Sequence, residues 1–275
     1  LEFWARHFSR RGLGKRSRTT KPQTLSQCLL AEVSRQTLLS QIEIRSSVEL
    51  PSTREPVTIE TQDGLHLVAE LALPVTNNPV ATLVMLHPLP TAGGFMDSHI
   101  YRKAANRLPA LADLAVFRFN TRGTESPHGK SEGVFDGGVA EKFDVMAAVE
   151  FVHSRNLPNV YLVGWSFGTE LALKYGPDLD VLGAILLSPP LHRTSEAELL
   201  RWNENSKRLV ALIPEHDDYL KPAEAAQRFS VVPKTELINV DQAKHLWVGE
   251  SATKRVLDEI VAVVNPAKSP LPDYY

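Results

Sequence analysis

Three observations on the sequence predict an α/β fold: a mostly parallel central sheet with helices on both faces. From residue 55 short β-branched runs alternate with helical stretches, the first two runs flank a hairpin signal, and one later run enters Gly-x-Ser-x-Gly where a strand gives way to a helix. Residues 57–61 and 65–73 flank Asp63-Gly64, a turn pair suited to an antiparallel hairpin. Buried-looking runs follow at 81–86, 114–119, 160–163 and 184–187, then at 209–213 and 236–240. Helical segments near 97–108, 139–155, 167–175, 222–229 and 251–264 alternate with them, the pattern of crossovers between parallel strands.

The 275 residues, 43% of them apolar, suffice for one catalytic domain and an extension. We divide the chain into a basic extension at 1–50, a catalytic domain at 51–265 and an irregular tail at 266–275 punctuated by Pro270 and Pro272. The first 22 residues hold Arg6, Arg10, Arg11, Lys15, Arg16, Arg18 and Lys21 against Glu2 alone, which reads as a disordered basic tail, with an organelle-targeting segment as the alternative. Residues 24–44 suit a helix carrying Leu29, Leu30, Val33, Leu38, Leu39 and Ile42.

A net charge of −2 supplies no field for nucleic acid or acidic membranes, so the expected partner is a small-molecule substrate. No apolar run approaches the roughly 18 residues of a membrane span. Cys28 is the single cysteine, which rules out an intrachain disulfide and a cysteine-rich zinc site and fits a cytoplasmic location. Nothing in the sequence specifies an oligomeric state.

The run Val160-Tyr161-Leu162-Val163 leads into Gly164-Trp165-Ser166-Phe167-Gly168 and then the helix-like Thr169-Glu170-Leu171-Ala172-Leu173. This is the strand–turn–helix context a nucleophile elbow requires, with glycines two residues either side of Ser166 where strand and helix nearly touch. Triad partners of such an elbow follow in the order acid, then histidine. Of the three histidines after Ser166, His192 and His216 come too early. His245, in Ala243-Lys244-His245-Leu246-Trp247 after the final strand-like run, can be carried back over the sheet as general base. The acid should leave the preceding strand, where Glu215-His216-Asp217-Asp218 offers Asp217, three residues after Pro214, and Asp218 as the alternative. The oxyanion hole needs the N–H after the nucleophile, that of Phe167, and one from the loop His87-Pro88-Leu89-Pro90, where only Leu89 of the three residues after His87 can donate. His87 is expected to brace that loop.

Together with Gly93-Gly94-Phe95-Met96-Asp97 and Arg118-Phe119-Asn120-Thr121-Arg122-Gly123, these motifs give a sequence that resembles the α/β-hydrolase superfamily. More narrowly it is similar to small, cap-less bacterial hydrolases with HPxP, RFNxRG and GxSFG motifs, over residues 55–264. The chain departs from that pattern at Glu125, Ala140 and Thr169, where glycine is usual, and Glu125 is expected near the mouth of the site. Arg118, Asn120 and Arg122 are expected to hold the loop after the fourth strand. Relatives insert a cap before the acid-bearing strand; here residues 188–207 have room for one helix, so no large cap domain is expected and the site should be open. Trp165, Phe167, Phe95 and Trp247 are candidate apolar walls.

The expected activity is that of a carboxylesterase-like serine hydrolase working through an acyl-enzyme. Thioester cleavage or acyl transfer by the same triad is the alternative, and a non-catalytic ligand-binding scaffold a third reading. No metal-ligating or phosphate-loop motif is present, so no cofactor and no metal are expected.

Overall fold

The computed structural model describes residues 41–275, so the basic segment and most of the 24–44 stretch lie outside the described residues. The strands are β1 (Thr53–Glu60), β2 (His66–Leu73), β3 (Ala81–Leu86), β4 (Leu114–Phe119), a two-residue ladder of β5 (Glu125–Ser126) and β6 (Gly129–Lys130), then β7 (Val160–Trp165), β8 (Gly183–Leu187), β9 (Arg208–Pro214) and β10 (Glu236–Val240). The helices are α1 (His99–Ala112), α2 (Glu141–Ser154), α3 (Phe167–Tyr175), α4 (Glu196–Leu200), α5 (Pro222–Phe229) and α6 (Glu250–Val264). Each run and helix predicted from residue 55 onward is found, its ends moved by at most a few residues.

Eight strands form one sheet in the order β1-β2-β4-β3-β7-β8-β9-β10. The β1–β2 hairpin is antiparallel, with Gly64 at φ 84° supplying the left-handed turn residue and Thr61 Oγ1 donating to Asp63 Oδ1 at 2.6 Å. β2 also runs antiparallel to β4, and every pairing from β4 through β3 to β10 is parallel. Helices cover both faces, so the inner strands alternate between two cores. In β3, Val84 and Leu86 join the core beneath α2, α3 and α5, while Leu83 and Met85 join the one beneath α1 and α6.

The chain leaves β3 in one direction to build β4, and returns to build β7 on the other side of β3. A crevice therefore opens at the carboxyl ends of β3 and β7, the switch point where such sheets bind ligands. Between β8 and β9, residues 188–207 hold only α4 and a 3-10 turn, Arg201–Glu204. Trp202 on that turn is fully buried, with its Nε1–H donating to Leu173 O at 2.9 Å, so the segment packs onto α3 as a layer of the core.

Residues 44–50, assigned above to the extension, contact the domain. Leu50 is buried with its N–H on Asn106 O at 2.9 Å, and the Ile44 N–H meets Asp273 O at 2.9 Å. Leu271 in the tail is buried in the same core. No helix among the described residues is long and apolar enough to cross a membrane.

Candidate active site

Ser166 follows the last residue of β7 and caps α3, at φ 51° and ψ −116°. A non-glycine residue at this angle is strained, and the surroundings hold it there. Its N–H donates to Leu187 O at 2.9 Å, and its carbonyl accepts from the Thr169 N–H at 2.9 Å and Thr169 Oγ1 at 2.6 Å. Thr169 thus adds a bond that glycine could not. The flanking glycines are required by contact: a Cβ on Gly164 would lie 2.5 Å from Gly168 O, and one on Gly168 would lie 1.8 Å from Leu86 O.

His245 and Asp217 reach Ser166 from the loops after β10 and β9. His245 Nε2 is 2.9 Å from Ser166 Oγ, and His245 Nδ1 is 2.9 Å from Asp217 Oδ2 and 3.2 Å from Oδ1. With Nδ1–H donating to the carboxylate, Nε2 is left to accept the serine proton. Burial raises the pKa of Asp217, but hydrogen bonds from His245 and from the N–H groups of Tyr219 and Leu220 outweigh it and hold the carboxyl below its ordinary value. Asp218 is exposed, as are His192 and His216, and none of the three contacts Ser166 or His245 among the described hydrogen bonds.

The N–H groups of Leu89 and Phe167 have no acceptor among the described residues, and both residues line one cavity with Ser166 and His245. Leu89 is held between Pro88 and a 3-10 turn at Pro90–Ala92, its carbonyl accepting from the Ala92 and Gly94 N–H groups at 3.0 Å each. His87 stiffens the start of this loop. Its Nδ1–H donates to Pro88 O at 2.7 Å, and its Nε2 accepts from the Thr121 N–H at 3.0 Å. Burial lowers its pKa from 6.5 to about 4, so the imidazole is neutral and both ring nitrogens are satisfied.

Arg118 and Arg122 are buried ties. Arg118 pairs with Glu70 and Asp97, while Arg122 bridges Asp144 at 2.7 Å and Asp63 at 2.9 Å. Asn120 Oδ1 accepts from the Met96 N–H at 2.9 Å. Glu125 lines a separate hollow with Pro90, Gly94, Phe95 and Phe135 and does not line the Ser166 cavity. The aromatic walls also differ from expectation. Phe167 lines the cavity, but Trp165 and Trp247 are buried behind it and Phe95 faces the Glu125 hollow.

Several contributors carry no sequence signal. Tyr219 lines the cavity with its ring 4.5 Å from the His245 ring, edge to face. The His245 carbonyl accepts from Trp165 Nε1–H and from Ser188 Oγ, each at 3.1 Å, and His99 Nε2–H donates to Trp247 O at 3.1 Å. Buried Glu170 accepts from the His192 N–H at 2.8 Å and the Arg193 N–H at 2.5 Å, pinning the loop after β8 to α3. A carboxylate in the apolar run before Leu171 was the one visible hint of this role.

The strand order, elbow and cap-less connection define the α/β-hydrolase fold, and this chain has it. Among solved structures it is similar to an α/β serine hydrolase without a lid from Xanthomonas campestris, at TM-score 0.62 and 22% identity over 79% of this chain and 94% of that one. It is likewise similar to an alpha-beta serine hydrolase homologue from Coxiella burnetii, at TM-score 0.63 and 22% identity over 76% and 97% of the two chains. An esterase of Pyrococcus furiosus aligns at TM-score 0.60 and 20% identity over 78% and 91%. No family model matches the sequence. An uncharacterized protein of Rickettsia prowazekii (strain Madrid E) is 34% identical over 124 residues, 42% of this chain and 47% of that protein, so the match spans about half of the relative's length.

Proposed function

We propose that the protein is a serine hydrolase acting on ester-type bonds of a small substrate. Ser166 is the nucleophile, His245 the general base and acid, Asp217 the orienting acid, and the N–H groups of Leu89 and Phe167 the oxyanion hole. The observation that carries the reading is the unbroken relay from Ser166 Oγ to His245 Nε2 and from Nδ1 to Asp217, each step 2.9 Å.

In the first half-reaction Ser166 Oγ bonds to the carbonyl carbon while its proton passes to His245 Nε2. The carbonyl oxygen becomes an oxyanion facing the two free N–H groups. Collapse breaks the bond to the leaving alcohol, which takes the proton from His245, and the acyl group remains on Ser166. Water then attacks this ester, giving its proton to His245; the second collapse returns that proton to Ser166 Oγ and releases the carboxylic acid. Asp217, held anionic by three donors, stabilises the imidazolium formed in each half.

The cavity of about 160 Å³ supports a small reacting group. It is close to the roughly 150 Å³ that accommodates benzene in an engineered protein cavity. Packing of residues 188–207 onto α3 leaves no cap among the described residues to enclose a long acyl chain. The esterase and the lid-less serine hydrolase among the similar structures agree with this reading.

The test is fluorophosphonate labelling alongside hydrolysis of p-nitrophenyl butyrate, comparing the parent protein with Ser166→Ala. We expect one labelled site and measurable turnover in the parent, and neither in the variant at unchanged thermal stability. Label on a different serine, or turnover surviving in Ser166→Ala, would overturn the assignment.

A further inference from the structure

Arg193 sits on the loop after β8 and lines the same cavity as Ser166, Phe167, Tyr219 and His245. Among the described residues lining that cavity it is the one with a permanent charge at neutral pH, since His192, Tyr219 and His245 are the other titratable groups there. The loop that carries it is built rather than loose. Glu170, buried in α3 four residues after Ser166, accepts from the backbone N–H groups of His192 and Arg193 and from Thr194 Oγ1. Burial raises the Glu170 pKa, and these donors together with the nearby Arg193 charge oppose it, so a desolvated carboxylate fixes the loop directly to the elbow helix.

The Glu170 bonds are to the Arg193 backbone and leave its side chain available. Its guanidinium makes no hydrogen bond or ion pair among the described residues, and its Cζ lies 5.7 Å from the centre of the Phe167 ring. Stacking of this kind holds the planar group in place while its N–H fork stays exposed. The same Phe167 supplies one N–H of the proposed oxyanion hole and lines the cavity with Ser166. A cation is therefore presented at the cavity that holds Ser166, on a loop tied to the elbow helix and with its donors unused among the described residues.

We propose that Arg193 is a substrate-binding residue and that the site prefers small esters carrying a carboxylate, which the guanidinium receives through paired N–H donors. This rests on the ester-hydrolase reading above. The carboxylate belongs on whichever half of the ester, acyl or alcohol, lies toward the β8 loop.

The experiment compares kcat/KM for two matched pairs in the full chain. In the first pair the charge is on the acyl half: monomethyl glutarate against its neutral primary amide. In the second it is on the alcohol half: butyryl glycolate against butyryl glycolamide. One anionic ester should exceed its amide by about fivefold, the scale of a partly exposed ion pair. That ratio should fall to about one in Arg193→Gln, stay above one in Arg193→Lys, and shrink with added salt. Equal rates within both pairs, a preference that survives Arg193→Gln, or an equal loss on both members of a pair would overturn the proposal and leave the hydrolase reading standing. No hydrolysis of any of the four, with no fluorophosphonate labelling of Ser166, would instead remove the hydrolase reading and this one with it.

Discussion

Replacing Gly168 with alanine tests whether the proposed nucleophile, Ser166, and the proposed oxyanion loop are held by one close contact. The added Cβ would lie 1.8 Å from Leu86 O, 2.5 Å from Leu86 C and 3.0 Å from His87 O. A carbon and a carbonyl oxygen settle near 3.3 Å, so α3 and the end of β3 would have to separate by about 1.5 Å. No side-chain rotation relieves this, because all three atoms are backbone. Leu86 is also tied into the ladder opposite Gly164, and its carbonyl accepts from the Tyr101 hydroxyl at 2.8 Å. Overpacking that moves backbone costs about 3 kcal/mol, which for a domain of this size lowers Tm by about 6–12 °C. Leu89 is three residues beyond Leu86, so the displacement reaches its N–H, and a 1 Å misplacement there lowers kcat about a hundredfold. The assay pairs thermal unfolding with turnover of p-nitrophenyl butyrate. Gly64→Ala is the control, because Gly64, at φ 84° in the β1–β2 turn, has no atom within 4 Å of where a Cβ would sit. It should lose about 1 kcal/mol through backbone strain alone and keep its kcat. A Gly168→Ala protein with parental Tm and kcat within a factor of two would refute the reasoning.

The two acids separate cleanly: Asp217→Asn should lower kcat by about 10³–10⁴-fold by removing the charge and favouring the wrong imidazole tautomer, while exposed Asp218→Asn should stay within about twofold. Steady-state kinetics of the two variants checks this, and the reverse pattern would move the acid to Asp218. Acid sensitivity should come in part from His87, whose pKa is lowered from 6.5 to about 4 by burial. The folded state keeps this imidazole neutral while the unfolded chain takes up a proton, so stability is full above pH 6.5 and falls as pH drops toward 4. The slope approaches about 1.4 kcal/mol per pH unit and the total about 3 kcal/mol. Unfolding free energies from pH 7.5 to 4.5 should show a shallower decline in His87→Gln, whereas an unchanged slope would place the acid sensitivity elsewhere.

What could be read beforehand depended on whether the constraint was local. The elbow was legible because the close approach of β7, α3 and β3 permits only glycine at 164 and 168, and that requirement is written within five residues. His245 was legible from chain order, since only a histidine after the last strand can be carried back to Ser166. In sequence the Asp217–Asp218 choice rests on spacing alone; burial of Asp217 against His245 favours it, and that burial depends on how the turn after β9 is folded by the Tyr219 and Leu220 N–H groups. The aromatic walls differ from expectation because Ser166 turns the chain from strand to helix between them. Trp165 ends β7 and packs in the core beneath α1 and α6, whereas Phe167 opens α3 and lines the cavity. Tyr219 and Arg193 reach the cavity from separate loops, a convergence that no periodicity encodes.

The strand order also explains which parts of the site need support. Leu89 and Ser166 leave adjacent strands, β3 and β7, whose ends meet where Gly168 packs against Leu86. His245 leaves β10, three strands from β7, and must return across about 14 Å of sheet edge. A loop crossing that distance is as accurate as its anchors, and here they come from the elements it crosses. Trp165 belongs to the elbow itself and Ser188 directly follows β8, and both donate to the His245 carbonyl; buried Trp247 and its bond from His99 fix the loop beyond. Because Trp165 immediately precedes Ser166, His245 is referenced to the strand that carries Ser166. A shift of β10 against β7 therefore has to break a bond to the His245 backbone before it can lengthen the bond from His245 Nε2 to Ser166 Oγ.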